Sequence, residues 1–245
     1  MRNRPNREIN VLSMSALDLF ASALGVFILI TIVSFSQADN EGESRLEAVF
    51  VVDTTDSMAD EVPEIADAIV GTVRSLRRTV PDLSVGVVAY RDRAESFVTR
   101  ELPLATVESA ERERAIVEFL VAAAAAPRGD NFEREEAVGE GLRKAYEMAW
   151  TGSGAHPRLV IVVGDAAVHP AEAAATLAQA RDFAAAGPGR TVHAVFCRAP
   201  DDPHAEFFRD LAAAGRGECV PPLRLAELLF TAGSGAGGDA TVATP

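Results

Sequence analysis

The chain is poor in cysteine, in histidine and in basic charge. Two cysteines, Cys197 and Cys219, stand among 245 residues. That is too few for a disulfide-built scaffold, and they show no metal-ligand spacing. Four histidines are scattered and make no zinc signature. Lys and Arg number 23 against 36 Asp and Glu, a formal net charge of −13. Nucleic-acid recognition needs a basic footprint, so the balance argues against that class of partner. No Ser-His-Asp or Cys-His arrangement can be placed and no phosphate-binding glycine loop is found, so no enzyme activity is expected. What the chain has in quantity is apolar side chain, 48% of its residues, which supports a packed core in one domain of moderate size with appendages.

The most informative stretch is Leu46–Met58, L-E-A-V-F-V-V-D-T-T-D-S-M. A valine-rich run ends abruptly in a carboxylate, hydroxyl residues follow at alternate positions, and a helical pattern begins at once. A buried parallel strand delivers its last side chains to the carboxyl edge of its sheet, where open α/β folds bind ligands. Asp53, Thr55 and Ser57 converging there make an all-oxygen nest suited to a hard cation such as Mg²⁺ or Ca²⁺, with Mn²⁺ a further candidate. The string resembles the metal-ion-dependent adhesion site (MIDAS) of von Willebrand factor A (vWA) domains, written D-x-S-x-S or D-x-T-x-S. Asp56 stands where glycine is usual and adds an acidic group. A plainer reading has Asp53 or Thr54 capping the next helix. A haloacid-dehalogenase-type phosphatase would need a second aspartate two residues on, where this chain has Thr55.

Three further strings carry the vWA resemblance. V-G-V-V-A-Y-R-D-R, ending at Arg93, resembles the second core strand and turn of bacterial vWA domains. Gly129-Asp130 stands where a third metal-binding element is expected, so the resemblance offers Asp130 as a ligand, though a helix-capping role fits it as well. V-I-V-V-G-D-A-A-V-H-P resembles the strand that supplies the last aspartate of the site, which the resemblance assigns to Asp165. His169 reads as an exposed loop histidine. In this reading Asp53, Thr55 and Ser57 hold the cation, Asp130 and Asp165 act directly or through water, and a partner carboxylate completes the coordination.

Strand and helix alternate through the rest. Helices are predicted over Asp60–Arg78, Val107–Ala126, Glu133–Trp150, Ala171–Ala186, Glu206–Ala214 and Pro222–Phe230. Strands are predicted over Leu83–Tyr90, Glu95–Thr99 (a short edge strand), Arg158–Gly164, Thr191–Arg198 and Glu218–Val220. The expected fold is α/β, a doubly wound, mainly parallel sheet of the Rossmann-like vWA kind. Cys197 and Cys219 fall at the ends of the last two predicted strands, which leaves a disulfide open.

Ahead of this domain, residues 1–10 are polar and basic, with Arg2, Arg4 and Arg7. The apolar run Val11–Phe35 is long enough to cross a ~30 Å hydrocarbon core as a helix at ~1.5 Å per residue. It is assigned as a transmembrane helix over residues 11–36, followed by a linker, 37–45, that carries Asp39, Glu41 and Glu43. The vWA domain then occupies 46–230 and a glycine-rich tail, read as disordered, 231–245. By the positive-inside rule the amino terminus is cytoplasmic and the domain exported, which places the protein in a bacterial inner membrane with its vWA domain in the periplasm. A cleaved signal peptide ending at Ser36-Gln37-Ala38 is the alternative.

Asp18 lies inside the apolar run. An ionisable residue there is by default a functional hypothesis. Ser15, Asp18, Ser22 and Gly25 share one small, polar helix face, suited to packing against partner helices. The string S-A-L-D-L-F-A-S-A-L-G-V-F-I-L-I resembles the single membrane helix of MotB-type flagellar stator proteins and of ExbD/TolR transport proteins. That resemblance implies a proton-carrying Asp18 beside a MotA/ExbB/TolQ-type channel subunit; the plainer reading has Asp18 at headgroup level. Two functions are therefore expected: an anchored accessory of a proton-driven channel whose vWA domain binds a protein partner through a divalent cation, or an exported adhesion module, anchored or secreted, with no proton chemistry.

Overall fold

The computed structural model describes residues 45–93, 95–127, 137–151, 156–225 and 228–229. Six strands form one sheet: β1 (Arg45–Asp53), β2 (Asp82–Tyr90), β3 (Thr99–Thr106), β4 (Arg158–Gly164), β5 (Arg190–Phe196) and β6 (Arg216–Val220). Their order is β3-β2-β1-β4-β5-β6. All neighbouring pairs are parallel except β2 and β3. The helices are α1 (Val62–Leu76), α2 (Ala110–Ala124), α3 (Val138–Tyr146), α4 (Pro170–Ala185) and α5 (Ala205–Ala214).

Helices cover both faces, which is why the central strands read as unbroken apolar runs. In β1, Leu46, Ala48, Phe50 and Val52 pack into one core with α1, α2 and the carboxyl-terminal leucines Leu225, Leu228 and Leu229. Val49 and Val51 face the other way, into a second core with α3, α4 and α5. The period-2 alternation of a strand therefore distributes a continuous run between two interiors.

The expected mainly parallel α/β sheet is present, with one strand displaced. The edge strand is Thr99–Thr106, not Glu95–Thr99. Its half-exposed pattern and Pro103 mask it in the sequence, yet both suit an antiparallel edge. Glu95 instead sits in the preceding turn, its carboxylate accepting from Arg91 Nη1 at 3.3 Å. The last predicted helix begins as a 3₁₀ turn at Pro222–Arg224.

Candidate metal centre

β1 and β4 are adjacent and parallel, with Val52 opposite Val163. β1 ends at Asp53, and Asp165 follows the end of β4, so both carboxylates reach the carboxyl edge of the sheet. Asp53 is 0% exposed and Asp165 3%. Gly164 makes their approach possible: a Cβ there would lie 2.5 Å from Tyr90 Oη and 3.3 Å from Asp53 Cβ. Beyond Asp53 the chain is held against β2, where Thr54 N and Oγ1 both donate to Tyr90 O, at 3.0 and 3.1 Å. A 3₁₀ turn, Asp56–Met58, then carries Ser57 back over the site and buries Met58 beneath it.

The turn brings four of the proposed ligands together. Thr55 donates to Asp53 Oδ1 from Oγ1 at 2.6 Å and from N at 2.9 Å. Ser57 Oγ donates to Asp165 Oδ1 at 3.0 Å. The two hydroxyl oxygens are 3.2 Å apart. That is hydrogen-bond distance, and either hydroxyl can be the donor. Asp53 Oδ2, fully buried, has no hydrogen-bond partner among the described residues.

Those features fit a divalent cation. Adjacent oxygens of a six-coordinate Mg²⁺, each about 2.1 Å from the metal, lie about 3 Å apart. A buried carboxylate oxygen without a donor is costly alone and favourable beside positive charge, and the two hydroxyl oxygens beside it can add lone pairs to the same cation. Among the described residues no group of three or more His, Cys, Asp and Glu is placed to hold a metal. What the edge offers is a mixed set of carboxylate and hydroxyl oxygens.

The electrostatics point the same way. Burial raises the Asp53 carboxyl to about 7; the bonds from Thr55 oppose the rise, and the charges of Asp165 and Asp92 add to it. Asp92 is a neighbour that sequence reasoning did not assign. It stands two residues past the end of β2 and is 6% exposed. Its signal was available: β2 ends at the same sheet edge as β1.

Two arginines were missed as well. Arg91 is 0% exposed and clamps the loops around the site. It donates from Nε to Thr54 O at 2.8 Å, and from Nη1 to Ala126 O and Pro127 O at 3.2 and 3.1 Å. Arg198, just past β5, donates from Nη2 and Nε to Asp165 Oδ2 at 2.6 and 2.9 Å. No local pattern marks either partnership.

Asp130 and Asp18 lie outside the described residues, as does the assigned transmembrane segment 11–36. Among the described residues no helix is long and apolar enough to cross a membrane. His169 is exposed and caps α4, its Nδ1 accepting from Ala171 N at 3.2 Å. Cys197 and Cys219 are free thiols on opposite faces of the sheet, packed against different cores, which rules out a bond between them in this fold.

No protein-family profile and no curated protein matches the chain. Solved structures do. The pilus adhesin SpaC from Lactobacillus rhamnosus GG, in its open conformation, aligns over 78% of this chain and 29% of its own, at 14% identity and a TM-score of 0.55. This chain thus spans less than a third of that adhesin's length. The conserved hypothetical protein BatB from Bacteroides thetaiotaomicron aligns over 76% of this chain and 98% of its own, at 14% identity and a TM-score of 0.55. Proximal thread matrix protein 1 from the mussel byssus, solved with a zinc-occupied MIDAS motif, aligns over 77% of this chain and 47% of its own, at 15% identity and a TM-score of 0.51. At such identities the likeness is one of fold, an α/β domain with a mainly parallel six-stranded sheet flanked by helices, consistent with the vWA kind.

Proposed function

We propose that the domain is a protein-binding module whose recognition depends on a divalent cation. The observation that carries this reading is the Asp53 carboxylate, buried at the sheet edge with Oδ2 unanswered, beside the facing hydroxyls of Thr55 and Ser57. Asp53, Thr55, Ser57 and Asp165 would hold the cation, and Asp130 joins them on the vWA resemblance alone. The cation would supply an electrophilic centre with a coordination position for a partner carboxylate. This chain's residues orient the oxygens, and Met58 and the strand ends keep water from beneath them. A pilus adhesin and a MIDAS-bearing matrix protein among the structural neighbours support an interaction module.

Calorimetry with Mg²⁺, Mn²⁺ and Ca²⁺ tests the reading. The wild type should bind at micromolar to millimolar concentration, and Asp53→Ala should bind none while unfolding at a similar denaturant midpoint. Absence of binding by the wild type at millimolar cation would refute it.

The same proposal places the domain outside the cytoplasm on a single membrane helix, as partner of a MotA/ExbB/TolQ-type subunit. The support is the arginine-rich start, the acidic exit and Asp18 on a small polar helix face. Asp18→Asn keeps the shape and removes the titration. It should assemble with the channel subunit yet fail in a cell-based assay, whereas Asp18→Glu should retain part of the activity. Full function of Asp18→Asn would favour an adhesion module without proton chemistry.

A further inference from the structure

Asp165 is engaged on both oxygens: Ser57 Oγ donates to Oδ1, and Arg198 donates twice to Oδ2. A carboxylate so occupied presents less negative charge to a cation than one left open. Arg198 is not a buried strut. Its side chain is 45% exposed, against 4% for that of Asp165. It also has other acidic neighbours, since the charges of Asp202 and Glu61 act on its guanidinium. A guanidinium with solvent on one side and alternative carboxylates nearby can leave Asp165 without being stranded in an apolar interior.

We propose that Arg198 is an internal counter-cation that competes with the divalent cation for Asp165 and so sets the concentration at which the site fills. The inference rests on the cation-binding reading of the same site. Without cation, Arg198 offsets part of the repulsion among Asp53, Asp92 and Asp165 and holds the 3₁₀ turn closed through the Asp165–Ser57 bond. When a cation enters, Asp165 turns its charge toward the metal and the guanidinium swings to the rim.

The direction of the effect separates competition from structural support. If Arg198 only held Asp165 in place, its removal would loosen the site and weaken cation binding. If it competes, its removal strengthens binding. The test is calorimetric titration of the full-length chain with Mg²⁺ and with Mn²⁺, comparing the wild type, Arg198→Gln, Arg198→Lys and Asp53→Ala. Competition predicts tighter binding by Arg198→Gln, by up to about fivefold, the scale of one partly exposed ion pair released. Arg198→Lys, which keeps the charge, should stay near the wild type. Thermal midpoints give a second readout: Arg198→Gln should melt below the wild type without cation and gain more from saturating cation. Equal or weaker binding by Arg198→Gln, with the wild type binding and Asp53→Ala not, overturns this proposal and leaves the cation site standing. Absence of binding in every variant overturns both.

Discussion

β1 carries a buried carboxylate at each end, and the two are treated in opposite ways. At the amino end, Glu47 is 1% exposed and fully answered. Thr151 N donates to it at 3.1 Å, His156 Nε2 lies 3.0 Å from Oε2, and the Arg158 guanidinium lies 3.3 Å away. Burial pushes its carboxyl up, but the bonds from His156 and Thr151 outweigh that and hold it below the usual range. At the carboxyl end, Asp53 has bonds on one oxygen, none on the other, and two acidic neighbours; its carboxyl rises to about 7. The same strand thus holds one acid answered by its protein neighbours and one with an oxygen that the described residues leave unanswered. On the proposed reading the first serves the fold and the second serves the cation.

The largest effect should come from the amino end. Glu47→Gln removes the charge that faces the Arg158 guanidinium at 3.3 Å, where the Arg158 side chain is 4% exposed. Breaking a buried pair from one side costs about 3–5 kcal/mol. Urea unfolding should show that loss with cation affinity unchanged in the surviving folded fraction. A variant as stable as the wild type would break the comparison.

Next is a buried ionisable group at neither end. His193 Nδ1 accepts from Glu218 N at 3.0 Å, and burial lowers its pKa from 6.5 to about 4. Its depressed value means the folded state resists protonation. Its contribution is complete above pH 6.5 and is lost as pH falls toward 4, up to about 3 kcal/mol. Glu47, also depressed, adds a loss only as pH falls below its ordinary value of 4.5. Asp53 acts in the opposite sense over the same range, because a carboxyl raised to about 7 relieves the folded state as it protonates, so the His193 loss is read as the difference between two pH profiles. His193→Gln should gain stability relative to the wild type as pH falls from 6.5 toward 4, and parallel profiles would remove His193 from the account.

The smallest effect has the opposite sign. Asp53→Asn removes one of three crowded carboxylates, so without cation the protein should lose no stability and gain on the order of 1 kcal/mol, about one pKa unit's worth. Saturating Mg²⁺ should then stabilise the wild type and leave Asp53→Asn unmoved. A clear loss of stability on substitution without cation would show that Asp53, like Glu47, serves the fold.

The helices and the central strands were legible because each rests on a local period: valine runs for strands buried on both faces, helical spacing for α1. Asp53, Thr55 and Ser57 were legible as a group because they lie within one turn. Asp165 was legible only through the vWA resemblance of its strand, since chain order alone does not set β4 beside β1. Strand β3 was not, since an exposed edge needs no apolar pattern. Nor was the Glu47 network: Glu47 and His156 are 109 positions apart along the chain, and they meet where β1 and β4 begin side by side.

The sequence by itself determined that Asp53, Thr55 and Ser57 gather at one strand end, because alternate spacing past an apolar run is a property of a few consecutive residues. Only the tertiary structure decided what surrounds them. Asp92 comes beside Asp53 through the β1–β2 register, which pairs Asp53 with Tyr90. Arg198 comes onto Asp165 through the β4–β5 register, which pairs Gly164 with Phe196. Those registers are set by apolar packing across both faces of the sheet, so the residues that flank a carboxylate in the chain do not name its partner in space.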